Sequence, residues 1–269
     1  MIRIGIIGCG TIGSRIAGHI DRNLRGKAEL VALSDKDLQS ALKLAGSLRS
    51  RPRITDTDKL IKASGLVIEA ASAGVSGDIA RKAVRSGKDV MIMSTGGLLK
   101  GYKDIFALAE KSRARIYLPS GAICGLDGLK GAKRSKVRKV TLTTTKPPEG
   151  FSGAPYIVKN KIDLGQIRKD KVLFEGDAMK AMEGFPANIN VAATLSICGI
   201  GPVNTKVRII ASPGAKRNVH EVEAEGDFGK LTARTENVPS PGNPKTSYMA
   251  VLSAIATLDG IMGKAKIGT

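Results

Sequence analysis

The segment Ile7 Gly8 Cys9 Gly10 Thr11 Ile12 Gly13 sets the spacing Gly-x-Gly-x-x-Gly directly behind the apolar run Ile2 to Ile7. Directly after it comes a stripe of Ile12, Ile16, Ile20 and Leu24. Few folds accept that arrangement, because a strand must turn sharply into a helix. Each glycine has its own reason to lack a side chain. The first permits the tight turn, the second lets the backbone approach a pyrophosphate, and the third lets helix and strand pack closely. Unpaired amides and the positive end of the helix dipole then face the phosphates. Gly8, Gly10, Thr11, Ile12 and Gly13 are therefore assigned to a dinucleotide. Asp35 ends the next strand-like run, 22 residues beyond Gly13. A carboxylate there accepts hydrogen bonds from the adenosine ribose and favours NAD; the plainer reading is that Asp35 caps the next helix. Lys36 and the cluster Arg49, Arg51 and Arg53 keep NADP open as a second cofactor.

Apolar β-branched runs alternate with helix-period segments through the first 118 residues. Strands are expected over Arg3 to Ile7, Leu30 to Ser34, Leu66 to Ala70, Val90 to Met93 and Arg115 to Leu118. The first helix closes near Gly26, and others cover Ser76 to Arg85 and Tyr102 to Ser112. This is the α/β pattern of a doubly wound parallel sheet, an N-terminal Rossmann domain. Ligands of such sheets bind at the carboxyl edge, which brings Ala71 and Ser72, and also Ser94 to Gly97, to the nicotinamide half of the cofactor. Small residues are equally good turn formers, so both readings stand.

Beyond Pro119 the pattern changes to neighbouring strands at Val137 to Thr145, Thr205 to Ala211, Val219 to Glu225 and Lys230 to Glu236. A helix from about Ala187 to Ile197 interrupts them. A second, α+β domain with a mixed or antiparallel sheet follows from this. The stretches Pro147 to Gly150 and Pro239 to Pro244 read as loops, with Asn243 as N-cap and Pro244 as first turn of a last helix, Lys245 to Ile261. That helix carries Tyr248, Val251, Leu252, Ile255 and Leu258 at helical spacing and is expected to pack back on the first domain. The domains expected are 1–119 completed by 243–269 for the dinucleotide, and 120–242 for catalysis.

At 269 residues the chain is long enough for two such cores. The weakly polar stretch Asn190 to Val203 is too short to span a bilayer. A strand starting at Ile2 leaves no room for a leader, and Cys9, Cys124 and Cys198 lack the spacing of a disulfide framework or a zinc site. A cytoplasmic protein without metal is expected. Each cysteine sits in a small apolar context that suits burial better than nucleophilic catalysis. The formal charge of +19 arises from 43 basic and 24 acidic residues, densest at Lys130 to Lys139. A solvated basic surface explains it, and such a field draws in a pyrophosphate and a dicarboxylate. With aromatics at 3% and no binding motif, the sequence argues against nucleic acid. Strand edges of the second domain are expected to pair between subunits, giving a homodimer.

Two histidines occur. His19 flanks the buried stripe of the first helix and reads as scaffold. His220 begins a strand of the second domain, with Val222 and Ala224 on its face, where a neutral imidazole could take a proton near physiological pH.

Four further segments bear on identity: Pro119 to Asp127 (PSGAICGLD), Phe185 to Ala193 (FPANINVAA), Asn218 to Glu221 (NVHE) and Asn243 to Ser247 (NPKTS). With the glycine-rich start, they run nearly end to end and together resemble the L-aspartate dehydrogenase family. The resemblance implies oxidation of L-aspartate with NAD or NADP to iminoaspartate, which hydrolyses to oxaloacetate and ammonia or feeds quinolinate and NAD biosynthesis. It also implies that Ala122 and Asn190 contact the cofactor and that His220 is catalytic. Cys124 stands where another small residue is expected. For the substrate's carboxylates, Ser120, Lys245, Thr246 and Ser247 are candidates, although Lys245 to Ser247 also read as helix capping. Two other readings compete. A dihydrodipicolinate reductase shares the domain plan, but its paired histidines and lysine motif are missing here. A cofactor-sensing or nucleic-acid-binding Rossmann protein would use the charge without chemistry.

Overall fold

A computed structural model describes every residue except 187, 188, 242, 266 and 269 and the side chains of 244 and 245. The opening of the expected helix at Ala187 and the side chain of the substrate candidate Lys245 lie outside the described residues. Two compact units result, Met1–Pro119 with Ala250–Ala265, and Ser120–Met249 with 267–268.

The first unit alternates strand and helix: β1 (Ile2–Ile7), α1 (Thr11–Asn23), β2 (Ala28–Ser34), α2 (Leu38–Ser47), β3 (Arg53–Ile54), α3 (Thr57–Ala63), β4 (Leu66–Glu69), α4 (Ala73–Arg85), β5 (Asp89–Ile92), α5 (Tyr102–Ser112) and β6 (Ile116–Tyr117). All neighbouring strands are parallel, in the order β3-β2-β1-β4-β5-β6. Ile4, Ile6, Val67, Ile68, Met91 and Ile92 are fully buried, as near-continuous apolar strands covered by helices on both faces must be. Between Ser34 and Leu66, where the sequence pattern shows no element, the structure has three. Their helices are short and are started by Asp37, which accepts from Gln39 N, and Asp56, which accepts from Lys59 N. Capping, rather than a long apolar period, begins them.

In the second unit come α6 (Leu126–Ala132), β7 (Val137–Lys146), α7 (Pro155–Lys159), β8 (Lys171–Asp177), α8 (Ala178–Gly184), α9 (Ile189–Cys198), β9 (Thr205–Ala211), β10 (Asn218–Gly226), β11 (Gly229–Asn237), β12 (Pro239–Ser240) and β13 (Asn243–Ser247). The main sheet runs β11-β10-β7-β9-β8, with β7 and β9 parallel and the other neighbours antiparallel, so it is mixed. β8 is an edge strand that the sequence pattern does not reveal. Alternation along the strands sends Val140, Leu142, Thr144, Val207, Ile209, His220, Val222 and Ala224 to the buried face. The opposite face, with Thr143, Thr145, Arg208, Glu221 and Glu223, lines an open trough of about 770 Å³. Tyr156 on α7, Phe174 on β8 and Phe185 pack ring against ring in this unit's core.

The last helix, α10 (Tyr248–Met262), buries Ala254 and Leu258 completely in the first unit's core, which also holds Leu24 and Leu44. As expected, it packs on that unit. Its stripe differs from the sequence reading, however: Val251, Ala254 and Leu258 are buried, whereas Leu252 is 42% exposed. Its start differs too. Asn243 and Pro244 neither cap nor open it, because Asn243–Ser247 form a strand paired with β12 and Tyr248 N donates to Val238 O at 3.0 Å. His19 Nε2 meets Asp259 Oδ1 at 2.7 Å, tying α1 to α10 in a scaffold role. Among the described residues no helix is long and apolar enough to cross a membrane.

Candidate active site

The glycine turn of the first unit is built for close approach. Gly8 has φ +101°, and a Cβ there would lie 2.6 Å from Ala71 N. Both facts exclude other residues. At Gly13 a Cβ would overlap the Gly8 carbonyl oxygen, whereas at Gly10 it would meet no atom of the protein within 4 Å. Gly10 is exposed at the amino end of α1, so the turn carries backbone amides beside an open volume. That cradle fits the pyrophosphate of a dinucleotide. Thr11 and Ile12 form the first turn of α1 and are half-buried.

Asp35 anchors this turn from the end of β2. Its Oδ2 accepts from Cys9 N at 2.6 Å and its Oδ1 from Asp37 N at 2.9 Å. Helix capping falls to Asp37 instead. The Cys9 thiol is buried and pushed up to about 11 by burial and the nearby Asp35 charge, which makes it inert near neutral pH. Cys124, by contrast, is exposed, contrary to the burial its neighbours suggest. Of the three arginines read as tolerating a 2′-phosphate, Arg49 is misplaced. The Asp21 carboxylate holds the amides of Arg49 and Ser50, at 3.1 and 2.9 Å, and Arg49 lines a hollow with Met1, Ala28 and Glu29 at the amino edge of the sheet. The chain has turned back down the sheet by then. Arg53 pairs with Ala32, towards the carboxyl end of β2.

Glu69, which the sequence reading passes over, organises the carboxyl edge. Its residue is fully buried. Oε1 accepts from Ala71 N at 2.8 Å and Oε2 from Ser94 N at 3.0 Å. Burial raises its pKa, and these backbone donors act the other way. Ala71 and Ser72 are exposed. Ser94 to Gly96 are buried, and Ser76 Oγ donates to Ser94 O at 2.7 Å, so that stretch serves first as packing against α4. One carboxylate thereby joins the loops after β4 and β5, while Ala70 N donates to Ile7 O at 2.8 Å. A charged residue closing an apolar parallel strand was the signal available.

In the second unit His220 lies on β10 directly opposite Thr144 on β7, and its Nδ1 pairs with Thr144 Oγ1 at 3.0 Å. The residue is 5% exposed. Burial, and then the charge of Lys146, lowers its pKa from 6.5 to about 3. The expectation of a titration near physiological pH is thus corrected: in the free protein the ring is neutral throughout that range, because a desolvated imidazole beside a cation resists protonation. Lys146 is itself lowered from 10.5 to about 8 by burial.

Ala122 and Ser247 are brought together by Asn237, another residue that periodicity does not single out. Asn237 Nδ2 and Thr235 Oγ1 donate to Ala122 O at 3.0 and 2.8 Å, and Asn237 Oδ1 accepts from Ser247 Oγ at 2.8 Å. Ser247 therefore bonds across to β11 rather than capping α10. Ser120 and Thr246 are half-buried near the same segments, with Ser120 O accepting from Ile123 N at 3.4 Å. Asn190 is exposed in the first turn of α9.

Two family profiles match the chain: "Homoserine dehydrogenase, NAD binding domain" over 8–119 and "Aspartate dehydrogenase, C-terminal" over 127–261. The chain is 47% identical to the L-aspartate dehydrogenase of Methanosarcina acetivorans across 100% of both chains, and 42% identical to that of Nitrosopumilus maritimus across 96% of both. Among solved structures, the aspartate dehydrogenase of Thermotoga maritima is similar at 25% identity with a TM-score of 0.78, covering 100% of each chain.

Proposed function

Because this chain belongs to the L-aspartate dehydrogenase family, we propose that it oxidises L-aspartate at Cα with NAD, giving iminoaspartate. The observation that carries this reading is the buried, neutral His220 held through Nδ1 by Thr144. The dinucleotide, when bound, supplies the hydride acceptor at nicotinamide C4. Gly8, Gly10, Gly13 and the start of α1 would hold its pyrophosphate, Ala71 and Ser72 would be further contacts, and the family resemblance adds Ala122 and Asn190. Asp35 favours NAD, since a carboxylate repels a 2′-phosphate; Lys36, Arg51 and Arg53 are the residues from which NADP use would come.

L-Aspartate loses a hydride from Cα and protons from its amine to become the imine. His220 accepts the amine proton, directly or through water. In the tautomer whose Nδ1–H donates to Thr144 Oγ1, the lone pair sits on Nε2. A pKa of about 3 makes this imidazole a weak base in the free protein. The substrate's carboxylates oppose the second cause of that depression, because an anion beside His220 and Lys146 offsets the ammonium charge and favours the protonated ring. The base is thus strengthened when the substrate is bound. Iminoaspartate then takes up water and releases oxaloacetate and ammonia, with the same imidazole able to activate the water, or passes on towards quinolinate. Ser120, Lys245, Thr246 and Ser247 remain candidates for the carboxylates. We take the protein to work in the cytoplasm as a homodimer; β8 and β11 are the edges of its second sheet.

The test is absorbance of the reduced nicotinamide with NAD or NADP and L-aspartate, set against D-aspartate, L-glutamate, L-alanine and L-homoserine at mildly alkaline pH. A rate confined to L-aspartate is expected. No rate with any amino acid, despite bound cofactor, refutes the reading.

A further inference from the structure

The alternation of β7 sends Leu142 and Thr144 to the buried face of the second sheet and Thr143 and Thr145 to the open trough. By the same period Lys146, its last residue, joins the face of Thr144 and His220. A lysine at a strand end ordinarily extends into water, yet this one is half-buried. Three features hold it there. Its carbonyl accepts from Ser212 N at 2.9 Å in register with Ala211. Pro147 follows and restricts Lys146 to extended backbone. Over its stem folds the 3₁₀ turn Pro148–Phe151, where a Cβ at Gly150 would lie 3.6 Å from Lys146 Cβ and 3.7 Å from Cδ.

We propose that Lys146 is a substrate-binding residue whose ammonium binds a carboxylate of the dicarboxylate substrate beside His220. The inference rests on the reading that L-aspartate is the substrate. A substrate held by one carboxylate on this ammonium presents its amine to the neighbouring imidazole. The electrostatics agree with that geometry. The Lys146 charge acts on His220, and burial lowers the pKa of Lys146 itself. An incoming carboxylate favours the protonated amine and screens its charge from the ring. Lys146 is absent from the substrate candidates that the sequence suggests, because the pattern Thr-Thr-Thr-Lys-Pro-Pro reads as a strand end and a loop.

The experiment compares wild type with Lys146→Met and Lys146→Arg, using initial rates with L-aspartate, competitive inhibition of those rates by L-asparagine and L-homoserine, and fluorescence titration with NADH. A charge-assisted hydrogen bond lost in Lys146→Met raises KM for L-aspartate about tenfold to a hundredfold, with NADH affinity unchanged and Lys146→Arg recovering part of the loss. A KM rise for L-aspartate with inhibition by both analogues weakened alike assigns Lys146 to the α-carboxylate, which all three share. A KM rise for L-aspartate with both inhibition constants kept assigns it to the side-chain carboxylate. A KM for L-aspartate within about twofold of wild type overturns the inference. Wild-type protein gives an independent arm that needs no variant to fold: acetic anhydride labelling of Lys146, read by peptide mass, slows in the presence of succinate. Labelling that succinate leaves unchanged also overturns it. Absence of wild-type activity with L-aspartate would instead count against the function, and the succinate arm would still report on Lys146.

Discussion

Gly10 and Gly13 stand three residues apart in one turn, yet replacing each with Ala has separable consequences. At Gly10 the added methyl meets no protein atom within 4 Å, and the backbone there has φ −71°, open to any residue. The folded protein loses only the preference for Gly over Ala at a helix N-cap, a few tenths to about 1 kcal/mol. For a chain of this size that is at most about 3 °C in Tm. If the open volume holds the pyrophosphate, however, the methyl intrudes on it. Overpacking of about 1–3 kcal/mol weakens NADH binding about fivefold to 150-fold. At Gly13 the order reverses. The methyl lands on the Gly8 carbonyl oxygen and 3.0 Å from its carbon, and backbone tied between strand and helix yields less than a side chain. A cost of about 1–3 kcal/mol falls on the fold itself, with Tm lower by about 3–12 °C. Thermal melting and NADH fluorescence titration on both variants separate the two effects. A Gly10→Ala protein that binds NADH as tightly as wild type refutes the assignment of that volume to the cofactor. An unchanged Tm for Gly13→Ala refutes the packing argument.

Replacing His220 by Asn lowers turnover with NADH affinity nearly kept; steady-state rates check this, and unchanged turnover removes His220 from the mechanism. Glu69→Gln sets an amide donor against either Ala71 N–H or Ser94 N–H, so one buried donor goes unmet at about 1–3 kcal/mol. A lower Tm and weaker NADH binding are expected together, and a variant that retains both shows that the carboxylate does not position these loops. His220 also shapes acid stability: with its pKa lowered from 6.5 to about 3, the unfolded chain binds the extra proton between those values. Stability therefore falls with pH from about 6.5 towards 3, by up to about 1.4 kcal/mol per pH unit from this group. Between pH 7 and 4, denaturant midpoints of wild type should fall further than those of His220→Asn; parallel losses would contradict the burial argument.

Local pattern was enough for five of the first unit's six strands and for its glycine turn, because a parallel sheet buried on both faces writes itself as apolar runs and a tight strand-to-helix turn needs glycine at fixed offsets. The family motifs were legible because each is contiguous in the chain. The short helices α2 and α3, strands β3 and β8 and the strand at Asn243–Ser247 were not, since capping carboxylates and cross-strand hydrogen bonds form them rather than an apolar period. Tertiary structure also assigned the working partners. Thr144 and His220 are 76 residues apart in sequence, and Asn237 reaches Ala122 across 115. Glu69 joins two loops 23 residues apart, from Ala71 to Ser94. No sequence spacing encodes such pairs, because strand register sets which side chains face one another. Burial, the second quantity that only the folded chain possesses, then turned His220 from a residue poised near neutrality into one that stays uncharged until a ligand alters its surroundings.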